Sequence, residues 1–148
     1  MASVFDKLNL KNQSQIVVLN APQSFEPELR GLRAVTVVRD LDDSSEIEFC
    51  LAFVTKQEEV DTLAKAIAKK AKGDAVVWFA YPKGSSKKYT SEFDRDTGWG
   101  ALIRAGFEPV RMVAIDEDWS AKRYRRGEFV KSTSPNRARI LAAQAKSK

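Results

Sequence analysis

The eight residues from Ala75 to Pro82, Ala-Val-Val-Trp-Phe-Ala-Tyr-Pro, contain no charged side chain. Side chains alternate between the two faces of a strand, so such a run has to be covered on both sides. A parallel sheet between two layers of helices provides that cover. The segment before it points the same way. Thr55 and Glu58 have the spacing of a capping box. Val60, Leu63, Ala64, Ile67, Ala68 and Ala71 recur at helical intervals. Glu58, Glu59 and Asp61 lie in the first turns and Lys69, Lys70 and Lys72 in the last, which suits the helix dipole. Gly73 is the expected stop. A helix running straight into a strand buried on both faces is half of a strand–helix–strand unit.

Further strands are predicted at "QIVVLN" (15–20), "AVTVV" (34–38), "EIEFCLAFV" (46–54) and "PVRMVAI" (109–115). "SVFDKL" reads as a helical turn capped by Ser3, "SFEPELRG" as a short helical or turn segment, and "TGWGALIRAG" as a helix ended by Gly106. Only Arg39 to Glu46 joins the second and third strands, which is short for a helical crossover. "AKRYRRGEFV" returns a few residues after the preceding strand, so it is expected to be the last strand and antiparallel.

Composition excludes several kinds of chemistry. The 148 residues include no histidine and one cysteine, Cys50. Histidine-paired nucleophiles, histidine metal sites and a structural zinc site are therefore ruled out. A general base would have to be a carboxylate, a lysine or a tyrosine. Cys50 lies in a strand and reads as core, and an internal disulfide is impossible. No apolar run approaches the roughly 20 residues that span a bilayer. With a start lacking the pattern of a signal peptide, a cytoplasmic protein with no membrane partner is expected. The net charge of +5 belongs to the end of the chain. Residues 131–148 hold five basic residues and no acidic one, whereas residues 1–130 hold 20 of each. The expected organisation is one domain over 1–130 and a basic, flexible tail over 131–148.

The stretches "LNLKNQSQIVVLNAP", "AVVWFAYPKG" and "LIRAGFEPVRMVAIDEDWS" together resemble a small class I methyltransferase-like, Rossmann-type domain over roughly residues 5–130. The resemblance implies a single α/β domain with a mostly parallel sheet and an antiparallel last strand inserted beside earlier ones. The combination of "FDKL", "LNAP", "YPK" and Asp116-x-x-Trp119-Ser120 is similar to a family of small bacterial proteins known only as a domain of unknown function. That family implies the fold and no particular activity.

One feature departs from the cofactor-binding pattern. The turn after the first strand is Asn20-Ala21-Pro22-Gln23-Ser24, where such domains carry glycines. Glycine permits a positive φ and close approach of a ligand, and Pro22 offers no N–H to a phosphate or carboxylate. This argues against S-adenosylmethionine or NAD in the usual mode, and no cofactor is expected.

Candidate site residues gather at the predicted carboxyl ends of the strands, where open α/β sheets bind ligands. Asp40 lies about 20 residues after the first turn, the position of a ribose-binding acid. It also sits in an acidic loop with Asp42, Asp43 and Glu46. "YPKGSSKKY" places Tyr81, Lys83, Lys87, Lys88 and Tyr89 after the fourth strand, either as an anion site or as a solvated loop. In "DEDWS", Asp116 is a candidate base and Trp119 a stacking wall, and Ser120 is within reach. Consecutive carboxylates cannot all point at one ion, so no metal is assigned. The alternative there is a plain turn in which Trp119 packs over the sheet edge.

A second, nucleic-acid reading rests on Lys122, Arg123, Tyr124, Arg125 and Arg126, where basic and aromatic residues interleave. A charged, partly exposed strand explains the same run. Weak nucleic-acid binding would then come mainly from the basic tail.

The leading expectation is a binding or regulatory module, not an enzyme, on a degenerate Rossmann-type scaffold. Its ligand, a small anion, a nucleotide or a protein, would lie at the carboxyl edge with Asn20, Asp40, Lys83 and Asp116. A transferase with an altered cofactor pocket and a nucleic-acid-associated protein are the alternatives.

Overall fold

The computed structural model describes residues 4–11, 13–32, 35–93 and 97–129. The tail expected over 131–148 lies outside the described residues. Ten elements follow in chain order: α1 (Val4–Lys7), β1 (Gln15–Leu19), α2 (Glu26–Arg30), β2 (Thr36–Val38), β3 (Ile47–Phe53), α3 (Gln57–Lys70), β4 (Ala71–Pro82), α4 (Gly100–Arg104), β5 (Phe107–Ala114) and β6 (Trp119–Arg126). The six strands form one sheet in the order β2-β1-β3-β4-β6-β5. β1 to β4 are mutually parallel, and β6 is inserted antiparallel between β4 and β5. This is the α/β domain expected from the sequence, including the reversed last strand.

Alternation along the central strands fills two cores. On one face Cys50, Ala52, Val77, Phe79 and Tyr124 meet Val60, Ala64 and Ile67 of α3 and Leu102 of α4. On the other, Phe49, Leu51, Phe53, Trp78 and Trp119 meet Val4, Phe5 and Leu8 of the α1 region and Leu29 of α2. Trp78, fully buried, donates its indole N–H to the Leu8 carbonyl at 2.7 Å and so ties the end of α1 to the sheet. Burial also pushes the Cys50 thiol up to about 12, in keeping with a core residue and not a nucleophile.

Several boundaries move. The α3 cap is made one residue later than the sequence spacing suggested. Lys56 is the N-cap, and Glu59, not Glu58, reaches back to accept from the Thr55 and Lys56 N–H groups at 2.9 and 3.1 Å. The helix ends at Lys70, before Gly73, and β4 begins at once. Gly73 takes a φ of 55° where the β3–β4 register shifts, a use of glycine in a strand irregularity. α4 has only five residues. The crossover from β2 to β3 passes over β1 with a 3-10 turn at Leu41–Asp43 in place of an α-helix. No helix among the described residues is long and apolar enough to cross a membrane.

Candidate functional site

β1 to β4 run in one direction, and β5 joins them because it is antiparallel to β6. The ends of these strands and the start of β6 therefore share one edge. Strand order reverses at β1, which has β2 on one side and β3 on the other. This is where open α/β sheets form their ligand crevice.

Asn20 follows β1 directly and adopts φ 58°, a left-handed conformation that asparagine tolerates better than most residues. Its side-chain amide donates to the Phe53 carbonyl at the end of β3, at 3.3 Å. Pro22 then precedes a 3-10 turn, Gln23–Phe25, whose Phe25 ring packs 5.0 Å from Phe53. The β1–β2 register runs as far as Val17 and Val38, and Asp40 follows two residues after the end of β2. Asp40 is exposed and caps the turn after β2, accepting from the Asp42 N–H through Oδ1 at 2.9 Å. Its Oδ2 has no protein partner among the described residues. Arg39 beside it makes a forked ion pair with Glu26 of α2 at 2.6 and 2.8 Å. The hydrogen bond from Arg39 holds the Glu26 carboxyl below its ordinary value. Nothing in the sequence spacing signals this clamp, which joins the segments carrying Asn20 and Asp40.

The other half of the edge is built around β4 and β6. The backbone N–H of Lys83 donates to the Asp118 carbonyl at 2.8 Å, and Ser86 Oγ lies 2.9 Å from Asp118 Oδ1. Asp116 caps its own turn: Oδ1 accepts from the Asp118 and Trp119 N–H groups at 2.8 and 2.9 Å. Trp119 is buried, with Phe53 5.1 Å away on one side and Tyr89 5.0 Å away on the other. Phe53 thus touches both halves, through its carbonyl to Asn20 and through its ring to Trp119. Beyond β4 an open cavity of about 620 Å³ is lined by Tyr81, Lys83, Tyr89, Phe93, Met112 and Ser120, among others. Tyr81, Lys83 and Ser120 therefore share one concavity. Asn20 and Asp40 lie across the edge at the strand-order reversal, Asp116 sits in the turn between β5 and β6, and Trp119 opens β6.

The basic run on β6 divides by strand alternation. Lys122 is buried with its ammonium 5.4 Å from the Trp99 ring centroid, and Tyr124 is fully buried beside it. Arg126 lies over Phe107 on that same face. Arg123 and Arg125 are on the other face. Among the described residues no group of three or more His, Cys, Asp or Glu is placed to hold a metal ion.

No family model matches the chain, and no curated protein sequence matches it. Solved structures do. An S-adenosylmethionine-dependent methyltransferase from Aquifex aeolicus superposes with a TM-score of 0.57 at 13% identity, over 82% of this chain and 87% of that one. The fibrillarin pre-rRNA processing protein of Methanococcus jannaschii gives 0.52 at 13%, over 78% and 67%. The phosphoethanolamine N-methyltransferase 2 of Haemonchus contortus, in complex with phosphomonomethylethanolamine and S-adenosylhomocysteine, gives 0.54 at 12%, over 90% of this chain and 40% of that one.

These neighbours correct the expectation that no cofactor is bound and that S-adenosylmethionine is disfavoured. Proteins of this fold include methyltransferases dependent on that compound, one of them holding its demethylated product. The physical reason lies in the first turn. The absence of glycine does not remove the positive φ, because Asn20 supplies it. The residues present also fit a nucleoside in kind, because Asp40, just past β2, is an exposed carboxylate with one open oxygen, the kind of acceptor a ribose diol donates to. Taken together, the strand order and the solved structures like it show that this chain has the Rossmann-type fold of the class I methyltransferases.

Proposed function

We propose that this chain binds S-adenosylmethionine at the carboxyl ends of β1 and β2 and acts as a methyl-transfer protein on a small acceptor. The observation that carries this is the strand-order reversal at β1, with Asn20 left-handed directly after β1 and Asp40 exposed just past the neighbouring β2. Asp40 would accept from the ribose hydroxyls through Oδ2, its Oδ1 being fixed by the Asp42 N–H. The Glu26–Arg39 fork holds the two segments at a set spacing. The bound donor would supply a methyl group on a sulfonium, an electrophile needing no metal.

The acceptor would occupy the cavity beyond β4. Tyr81, Phe93 and Met112 give it an apolar wall, and Lys83 adds a cation to its lining. That combination suits a molecule with an apolar or ring body and an anionic end. With no histidine in the chain, proton removal would fall to Lys83, a tyrosine or the acceptor itself. Asp116 is a positioning residue in this reading, because its carboxylate is committed to the turn that presents Trp119 and Ser120. A thermal-shift comparison of S-adenosylmethionine, S-adenosylhomocysteine, NAD and ATP tests the reading. The first two should raise the unfolding midpoint, and a response to ATP alone would redirect it to a different nucleotide.

A further inference from the structure

On the α3–α4 face of β6 every cation is used. Lys122 lies over the Trp99 and Tyr124 rings, and Arg126 donates to the Ala68 and Ala71 carbonyls at 2.8 and 3.0 Å. On the α1 face Arg125 makes two bonds to Asp74, at 2.9 and 2.6 Å. Two arginines of that face remain. Arg111 on β5 and Arg123 on β6 are direct cross-strand partners, and neither has a hydrogen bond or ion pair among the described residues. The Nε of Arg123 is buried and has no acceptor. Burial pushes the Arg123 guanidinium down from its usual value. Arg125 and Arg111 push it the same way, and Asp74 offsets part of this. Arg111 is exposed, and β5 is the edge strand, so the pair is open to solvent.

Like charges facing each other across two strands destabilise a sheet, and a buried guanidinium N–H without an acceptor adds to the cost. An oxyanion accepting from the terminal guanidinium N–H groups of both would remove the like-charge penalty. We propose that Arg111 and Arg123 form a binding site for the phosphate group of a ligand, on the sheet face flanked by α1 and apart from the carboxyl edge. Phosphate fits better than a carboxylate because it presents enough oxygens for two guanidinium forks and up to two negative charges for two cations. The trunk of the site is rigid: Arg123 stands beside the buried Trp78 in register on β4. Arg125, already neutralised by Asp74, adds shape more than charge. The site is independent of the methyl-transfer reading.

The full chain should be titrated with inorganic pyrophosphate and with a short single-stranded oligonucleotide at low, fixed ionic strength. Wild type would be compared with Arg111→Gln, Arg123→Gln and the control Lys65→Gln on the exposed side of α3. Each arginine variant should weaken binding by about tenfold or more, and the control should bind like wild type. Arg111→Gln removes an exposed side chain, so its unfolding midpoint should not fall. If the oligonucleotide is the tighter ligand, with a salt dependence reduced by about one charge per arginine removed, the phosphate is that of a polynucleotide; if pyrophosphate is tighter, it is that of a small molecule. Failure of wild type to bind either probe would overturn the site. So would affinities within about twofold of wild type in both arginine variants, or an equal loss in the control.

Discussion

At the end of β1 the chain folds back onto the sheet, whereas at the end of β4 it encloses open space. After β1, Asn20 bonds across to Phe53, and Phe25 is buried within five residues. After β4, the segment from Lys83 to Phe93 lines a cavity of about 620 Å³ and touches the core at Tyr89, against Trp119, and at Phe93. The first half is set by the left-handed Asn20 and its bond to Phe53, and the second has an open cavity with a mixed lining. In the proposed reading the donor would be recognised by the fixed groups of the first half and the acceptor by the adaptable pocket of the second.

The joint between the halves is Trp119, wedged against Phe53 and Tyr89, and its removal gives the largest expected effect. Trp119→Ala should cost about 3 kcal/mol in urea unfolding. A loss under about 1 kcal/mol would mean that the halves do not depend on this contact. Asn20 offers a subtler test. Asn20→Gly keeps the left-handed turn and forfeits only the bond to Phe53, whereas Asn20→Val must strain a β-branched residue into that φ. The valine variant should be less stable than the glycine variant by about 1–2 kcal/mol. Equal stabilities would show that the turn relaxes out of the left-handed region.

The cavity half should respond differently again. Lys83→Ala should weaken capture of an anionic acceptor and leave stability within about 0.5 kcal/mol of wild type, since its side chain carries no bond to the protein among the described residues. The smallest effect is expected at the Glu26–Arg39 fork. The folded state lowers the Glu26 pKa from 4.5 through its hydrogen bond to Arg39. The fork therefore adds stability above the ordinary carboxylate range, and this is lost as pH falls through the lowered value. Both partners face solvent, so salt should shrink the difference between wild type and Glu26→Gln. A difference that grew in acid would have the wrong sign.

The parts legible in the sequence are those whose own pattern decides them. β4 and α3 declare themselves by an uncharged run and by helical spacing, and the reversal of β6 follows from the short link after β5. β2, with three residues, and α4, with five, are held by neighbours more than by their own composition. The first turn is not legible from its composition, because glycine is the usual but not the only residue at positive φ. The run from Lys122 to Arg126 reads as one basic patch in the sequence, yet the two-residue strand period sends alternate side chains to opposite faces. Arg111 and Arg123 meet only through the β5–β6 register, including its irregularity between Pro109 and Arg111, which no spacing rule shows.

The central claim is that the closed half of the edge holds a nucleoside donor through Asp40, and calorimetric titration of S-adenosylmethionine into wild type and Asp40→Ala tests it most directly. The account predicts one site per chain in wild type, with binding weakened by about tenfold or more in the variant and its unfolding midpoint little changed. The absence of binding to wild type, or equal affinity in the two proteins, would contradict it.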